Sequence, residues 1–368
     1  MADWSAIVGG QGGAGARLLR AAAGAVEPAY RAAVARRNAA FDTGRRAAAD
    51  LGRPTISIGN LTAGGTGKTP MTIDIARRLV ERGHRPAVLT RGYHGGDEAD
   101  EMRAALGDGA RVGVGPSRVA TAAAVLADDP AVSCFVLDDG FQHRQAKRDV
   151  DVVLVDATAP FGPAELEPPR LIPRGMLREP MGGLSRADAV VVTRADQVAG
   201  EALERVEARI AEHHGAGPIA RATMAWGALD GSAVDAEGDG GGSSFEREIA
   251  VERLGMLDVV AVSAIGNPGA FEATLTGHAR RVIAHRRFPD HHRYTPMLLR
   301  RLLSDAKAAG AHAVVTTAKD WAKWRAVLAE RPNWVPDGLP ILRPRVAVAF
   351  DRPEAIASLL DRLRPPSP

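Results

Sequence analysis

The chain is short of cysteine, of long hydrophobic runs and of excess charge, and each shortage excludes a class of protein. The single cysteine, Cys134, rules out an internal disulfide and fits a reducing compartment. Because it lies in an apolar run, we expect it to be a small core residue. There is no apolar run of about eighteen residues and no signal-peptide pattern, so we expect neither a membrane-spanning helix nor export by that route. A formal net charge of +3 is too small to indicate nucleic-acid binding.

Lysine is also scarce, since only five of the 47 basic residues are lysines. Arginine's broad fork replaces lysine poorly where a phosphate loop needs a compact point charge. The lysines that remain are therefore candidates for function, and three of them lie in motifs discussed below: Lys68, Lys319 and Lys323.

The first 53 residues are rich in alanine and hold eight arginines against four acidic residues. Such a segment is typical of a helix that lies on an anionic membrane surface. It is equally typical of a solvated helix packed on a globular domain. Composition alone leaves both interpretations open.

Residues 55–80, TISIGNLTAGGTGKTPMTIDIARRLV, predict a strand, a glycine-rich loop and an amphipathic helix. Glycines allow backbone N–H groups to surround a polyphosphate at a helix N-terminus, while Lys68 reaches the β- and γ-phosphates and Thr69 ligates Mg²⁺. The usual spacing of such loops places a glycine where this chain has Thr62. The residues predicted to contact the nucleotide are Thr62, Ala63, Gly64, Gly65, Thr66, Gly67, Lys68 and Thr69.

Residues 134–139, CFVLDD, read as a buried strand that ends in two carboxylates. Following a phosphate loop by about seventy residues, this pattern predicts that Asp138 and Asp139 hold Mg²⁺ opposite Thr69. The alternative is that the two aspartates cap the next element.

Two further acidic groups have both a chemical and a structural interpretation. Asp97 follows a strand and a turn, where a carboxylate can accept a proton from an attacking hydroxyl or can cap a helix. The sequence Asp290-His291-His292 lies in a predicted loop, where it can assist catalysis or form a polar surface. We do not expect this segment to bind a metal, because no further ligands are closely spaced with it.

Strands and helices alternate along most of the chain, which predicts an α/β fold: a P-loop NTPase-like domain with a parallel sheet and a second, smaller α/β domain. The predicted divisions are a basic helical segment at 1–53, a P-loop kinase core at 54–235 and a C-terminal domain at 245–368. Residues 235–244, DAEGDGGGSS, read as a flexible link.

Taken together, the motifs resemble those of the tetraacyldisaccharide 4′-kinase family. They occur in the family's order between about residues 54 and 325. The family's loop also lacks a glycine at the position of Thr62. The matching segments are IGNLTAGGTGKTP at 58–70, TRGYHGG at 90–96, GDE at 96–98, LDDGFQH at 137–143, PRGMLRE at 173–179, FPDHHRY at 288–294 and TTAKDWAK at 316–323.

The resemblance implies transfer of the ATP γ-phosphate to the 4′-hydroxyl of tetraacyldisaccharide 1-phosphate, which gives the lipid IVA precursor of lipid A. Asp97 would be the base, paired with His291, although the short spacing after the RGY turn leaves Asp100 as an alternative. Lys68 would neutralise developing charge. Mg²⁺ would be held by Thr69, Asp138, Asp139 and Glu179, and Arg118 and Arg178 would lie on the phosphate side.

The resemblance also implies a lipid substrate and peripheral docking on the cytoplasmic face of the inner membrane, with the basic N-terminal segment in contact with it. Three other classes of protein compete with this interpretation. A switch-type ATPase of the chromosome-partitioning kind would have lysine at Ala63. A GTPase would need lysine at Arg194, in the segment that loosely matches TKxD. A non-catalytic membrane scaffold would leave the acidic motifs unexplained.

Overall fold

The computed structural model of the protein describes Val8 and residues 13–92, 97–162, 168–232, 246–265, 268–289 and 292–363. Three features singled out from the sequence lie outside these residues. They are the turn at 93–96, the predicted link at 235–244 and His291 with its neighbour Asp290.

The described residues form two compact units. The first takes those of 1–92, 102–224 and 348–368, and the second takes those of 93–101 and 225–347. The segments predicted from sequence, 1–53, 54–235 and 245–368, follow chain position instead, and their folding as separate domains stays a prediction.

The strands alternate with helices as the sequence predicts. The strands are β1 Thr55–Asn60, β2 Pro86–Thr90, β3 Arg111–Val114, β4 Cys134–Asp138, β5 Val150–Asp156, β6 Ala189–Thr193, β7 Ala220–Ser232, β8 Glu246–Ala250, β9 Asp258–Ser263, β10 Arg281–Arg287, β11 Ala313–Thr316 and β12 Ile341–Phe350. The helices are α1 Ala14–Asp42, α2 Lys68–Glu81, α3 Asp97–Leu106, α4 Arg118–Asp128, α5 Gly200–His214, α6 Pro268–His278, α7 Pro296–Ala308, α8 Ala318–Glu330 and α9 Pro353–Leu360.

The first unit is built on a parallel sheet in the order β7-β6-β5-β1-β4-β2-β3. All six residues of β1 are buried, as are all those of β4 and β5. Strands covered on both faces read as continuous apolar runs, which is why the sequence identifies them easily. The carboxyl ends of these parallel strands meet at one edge of the sheet, where ligands bind in such folds.

A close backbone contact fixes the turn after β4 against β1. A Cβ placed on Gly59 would lie 2.5 Å from the Phe141 Cβ and 2.8 Å from its backbone nitrogen. The Gly140 N–H also donates to the Ile58 carbonyl at 3.1 Å. Only glycine at position 59 therefore allows the turn that carries Asp139 to lie on the strand that leads into the phosphate loop.

The second unit has its own parallel strands in the order β10-β9-β11-β12. Residues 228–232 of β7 pair with β8 in the antiparallel direction. Its core includes Trp324 and Leu303, both fully buried. The prediction of an α/β fold with a parallel sheet is confirmed.

Some elements were missed by the sequence analysis. Strand β8 is short and charged, and β3 has one buried residue in four, so neither carries an apolar run. The sequence of helix α5 does contain a helical pattern that was overlooked, because its buried residues Leu203, Val206 and Ile210 lie at helical spacing. Cys134 is fully buried, and burial raises the pKa of its thiol to about 12, which confirms its core role. None of the described helices is long and apolar enough to cross a membrane.

We predict that Gly59→Ala lowers the free energy of unfolding by about 1–3 kcal/mol, the usual cost of forcing an extra methyl into a packed interior. The added carbon has no space beside Phe141. Thermal or urea unfolding followed by circular dichroism measures the change.

Gly182→Ala is the matched control, because a Cβ at Gly182 would have no neighbour within 4 Å. Equal stability of the two variants would contradict the role assigned to the contact at Gly59.

Candidate active site

The predicted phosphate loop lies at the carboxyl edge of the first unit's sheet. Strand β1 ends at Asn60 and α2 begins at Lys68, so residues 61–67 connect them. Gly64 has φ 137° and Gly67 has φ 82°, conformations that favour glycine. Gly67 precedes the helix and provides no side-chain cap, so the first N–H groups of α2 can serve an anion.

One side of this loop is held by the arginine-rich segment 173–179. The Ala63 N–H donates to the Met176 carbonyl at 2.7 Å, and the Arg178 N–H donates to the Leu61 carbonyl at 2.7 Å. The two segments therefore pair through their backbones.

The other side of the loop is held by two residues at the end of β6. The Thr193 hydroxyl donates to the Thr66 carbonyl at 3.1 Å, and the Arg194 guanidinium donates to the Gly65 carbonyl at 2.8 Å. Arg194 also forms an ion pair with Asp156 at the end of β5. Its φ of 54° is in the left-handed region, which is uncommon for arginine.

The bonds from Thr193 and Arg194 to the two loop carbonyls orient the loop peptides. In a planar trans peptide the C=O of one residue and the N–H of the next point in opposite directions. With the Thr66 carbonyl bonded to Thr193, the Gly67 N–H points away from β6. In the sequence, residues 193–196 stand out only by their loose match to a guanine-recognition motif, and the contacts of Thr193 and Arg194 with the loop were not predicted.

Asp138 is the buried carboxylate at the end of β4, and it is 4% exposed. It accepts hydrogen bonds from the Thr90 hydroxyl at 3.0 Å and from the Thr72 hydroxyl at 3.4 Å. The Arg118 guanidinium donates to its backbone carbonyl at 2.8 Å. Arg118 thus holds the end of β4, and its predicted contact with the nucleotide stays a prediction.

Asp139 brings together two cations on the neighbouring segments. One Arg178 nitrogen lies 2.7 Å from both carboxylate oxygens, and the Lys68 Nζ lies 3.7 Å from one of them. Burial by itself raises the pKa of the Asp139 carboxyl, but the charges of Lys68 and Arg178 outweigh it and hold that pKa below its usual value. Asp139 is therefore ionised at neutral pH, and its charge holds both cations beside the loop.

Glu179 lies in a buried hydrogen-bond network next to this group. It is fully buried, and its carboxylate accepts from Arg186 at 2.7 Å, from Gln142 at 2.9 Å and from Asn38 at 3.1 Å. Three donors occupy its oxygens, so the structure gives Glu179 a role in positioning this segment. Its assignment as a Mg²⁺ ligand stays a prediction.

Comparisons with known proteins agree on one family. The model of the family described as tetraacyldisaccharide-1-P 4′-kinase (LpxK) matches residues 19–364. This chain belongs to that family.

Its relatives and a solved structure carry the same name. The tetraacyldisaccharide 4′-kinase of Anaeromyxobacter sp. is 39% identical over 327 residues, which are 83% of each chain. That of Geobacter metallireducens is 35% identical over 333 residues, which are 85% of this chain and 90% of the relative. The crystal structure of "apo" form LpxK from Aquifex aeolicus in complex with ATP has a TM-score of 0.67 and 25% identity, covering 94% of this chain and 99% of that one. The predicted family and fold are confirmed, and the switch-type ATPase is not favoured.

The donor set of this family member fits the predicted Mg²⁺. No group of three or more histidine, cysteine or acidic side chains that could hold a metal occurs in the described part of the chain. Mg²⁺ does not need such a cage, since it is commonly bound by one or two carboxylates together with substrate phosphates and waters. The oxygen donors predicted for such a site are Asp138, Asp139 and the Thr69 hydroxyl, and their contact with Mg²⁺ stays a prediction.

Asp97 and Asp100, the two candidates for the base, belong to the second unit. Asp97 is the first residue of α3, the position at which the sequence allowed either a base or a helix cap. Asp100 is exposed one turn later on the same helix. His291 lies outside the described residues, so its pairing with Asp97 stays a prediction.

The N-terminal helix of this kinase packs against the site and also exposes apolar side chains. The Tyr30 hydroxyl donates to the Arg178 carbonyl at 2.9 Å, which ties α1 to the segment beside the phosphate loop. In contrast, Leu18 is 72% exposed, Leu19 is 50% exposed and Val26 is 53% exposed. Helix α1 is therefore packed on the first unit at Tyr30, and its contact with a membrane stays a prediction.

We predict that Arg194→Gln weakens ATP binding about tenfold, the effect of losing a charged hydrogen bond to the phosphate loop. The variant also leaves Asp156 without its guanidinium partner. Titration of the purified protein with ATP by calorimetry measures the change in Kd.

Arg205→Gln is the matched control, because Arg205 is an exposed arginine of the same unit whose nearest acidic group, on Glu201, is 3.9 Å away. If both variants bind ATP as the unchanged protein does, Arg194 does not shape the loop.

Proposed function

We propose that this chain transfers the ATP γ-phosphate to the 4′-hydroxyl of tetraacyldisaccharide 1-phosphate. The observation that carries the proposal is the convergence of Lys68 and Arg178 on Asp139, beside a glycine loop at a helix N-terminus. Phosphoryl transfer depends mainly on positioning and on positive charge around the transferred group, and this arrangement provides both.

The reaction needs a group that takes the proton of the attacking hydroxyl. We assign this role to Asp97, with His291 as its partner, on the family's pattern. The hydroxyl oxygen forms a bond to the γ-phosphorus, the bond from that phosphorus to the bridging oxygen breaks, ADP leaves and the proton passes to the carboxylate. Lys68 and Arg178 stabilise the negative charge on the phosphoryl oxygens.

Thr69, Asp138 and Asp139 would hold Mg²⁺. Its charge would offset that of the phosphates during transfer. The buried Thr72 and Thr90 hydroxyls bond Asp138, so they fix the direction of the carboxylate that would face the metal or its waters.

We predict that Asp97→Ala lowers turnover roughly 10²–10⁴-fold, the usual contribution of a general base. Transfer of ³²P from γ-labelled ATP to tetraacyldisaccharide 1-phosphate in detergent micelles measures it. ATP binding should persist, because the phosphate loop is unchanged.

Asp100→Ala is the matched control on the same helix. Loss of activity in Asp100→Ala but not in Asp97→Ala would move the base by one helical turn. ATP hydrolysis by the unchanged protein without transfer to the lipid would contradict the proposed kinase activity. It would favour the switch-type ATPase instead.

We further propose that the protein docks on the cytoplasmic face of the inner membrane through α1. An acylated substrate resides in a lipid surface, and α1 carries exposed Leu18, Leu19 and Val26 among exposed arginines such as Arg17 and Arg36. Apolar side chains flanked by cations are typical of helices that lie in an anionic interface.

We predict that the triple change Leu18→Ser, Leu19→Ser and Val26→Ser reduces binding to vesicles containing anionic phospholipid by at least about tenfold, because three apolar side chains no longer enter the acyl boundary. Co-sedimentation with the vesicles measures the bound fraction.

The control changes two other exposed apolar side chains, Met256→Ser and Met297→Ser, which lie in the second unit and are 64% and 80% exposed. Equal losses in both variants would indicate nonspecific adsorption and contradict the role of α1.

A further inference from the structure

The motif TTAKDWAK is the one family segment whose role the reaction leaves unexplained. It runs from the last residue of β11 into the first turns of α8, where the Thr317 hydroxyl accepts from the Asp320 N–H at 3.1 Å. The same hydroxyl donates to the Asp320 Oδ2 at 2.7 Å. A helix cap explains these two bonds, but it leaves the burial of the carboxylate unexplained, because capping side chains work as well at the surface.

Asp320 is fully buried, and its carboxylate joins two other segments of the second unit. The Ala264 N–H, directly after β9, donates to the Oδ2 at 2.9 Å. The Tyr294 hydroxyl donates to the Oδ1 at 3.2 Å. Burial and the Asp320 charge together raise the pKa of Tyr294, so it remains a neutral donor. A buried carboxylate is costly unless its oxygens are satisfied, and here three partners from three segments satisfy them.

Lys323 and Trp324 lie one turn further along α8 and contact the same segment. The Lys323 ammonium donates to the His292 carbonyl at 3.3 Å. The Trp324 ring is fully buried and packs edge-on against Tyr294, with ring centroids 5.3 Å apart. One face of α8 therefore holds residues 292–294 through a carboxylate, an ammonium and an indole.

The chain on the other side of positions 290 and 291 is held as well. The Phe288 N–H donates to the Ser263 carbonyl at 2.8 Å, which fixes it to the end of β9. The Phe288 ring stacks on the His292 ring at 4.7 Å, and the His292 N–H donates to the Pro289 carbonyl at 3.0 Å. Both described ends of the segment that carries His291 are thus attached to the frame of the second unit.

We infer that Asp320 and Lys323 are positioning residues for His291. They act by fixing the chain on its C-terminal side, and they do not touch the reacting groups. The inference rests on the proposed function, in which His291 pairs with the base. Displacement of a catalytic group by about 1 Å can reduce the rate 10²-fold, so tethers of this kind have a measurable effect on kcat.

We predict that Lys323→Gln lowers kcat roughly tenfold and leaves the KM for ATP unchanged, because the tether holds the partner of the base and not the nucleotide. Lys307→Gln is the matched control. Lys307 also donates to a backbone carbonyl of the same unit, that of Asp337 at 2.8 Å, and it should keep full activity. The ³²P transfer assay with varied ATP measures both parameters.

A second experiment separates positioning from a general loss of structure. In a His291→Ala background, Lys323→Gln should cause no further loss of kcat, because a residue that acts through His291 has nothing left to position. An additional tenfold loss in that background would overturn the inference. If thermal unfolding shows that Lys323→Gln is poorly folded, Tyr294→Phe is the milder variant, because it removes a single hydroxyl. It should also lower kcat in the unchanged background and cause no further loss in the His291→Ala background.

The outcomes also distinguish this inference from the proposed function. If the unchanged protein transfers phosphate and Lys323→Gln has the same kcat as Lys307→Gln, the inference about positioning fails. The proposed kinase activity is then retained. If the unchanged protein transfers no phosphate to the lipid, both fail.

Discussion

The candidate site depends on the parallel pairing of β1 with β4 and β5. This register places Ile58 opposite Asp138, so the strand that enters the phosphate loop ends beside the strand that ends in the carboxylates. The close approach at Gly59 then brings the following turn onto β1. A shift of one residue in this pairing would turn every side chain to the opposite face and separate Lys68 from Asp139.

Around this frame, neighbouring segments hold the phosphate loop through hydrogen bonds to its backbone groups. Residues 176–178 pair with one side, and Thr193 and Arg194 bond two successive carbonyls on the other. A loop rich in glycine loses much conformational entropy when it is ordered, and bonds from two rigid neighbours offset that cost. The N–H groups that a polyphosphate needs are thereby oriented in advance.

The second unit also fixes an irregular segment by hydrogen bonds from its neighbours. There a buried carboxylate, Asp320, and a lysine one turn later attach residues 292–294 to a helix and to a strand end. In both units, hydrogen bonds from neighbouring segments fix a short irregular segment. Such support from rigid elements is what precise catalytic geometry requires.

The sequence by itself determined the parallel α/β fold, the family, the phosphate loop and the acidic pair, because buried parallel strands, glycine loops and strand-end carboxylates leave short local patterns. It also placed Cys134 in the core. Only the tertiary structure decided that Arg194 holds the loop, that Glu179 lies among three donors and that Asp320 joins three segments. These contacts connect residues far apart in the chain, and an arginine or an aspartate has the same local pattern whether it meets solvent, a ligand or a distant backbone carbonyl. Which of these it meets is set by the packing of the sheet and its helices.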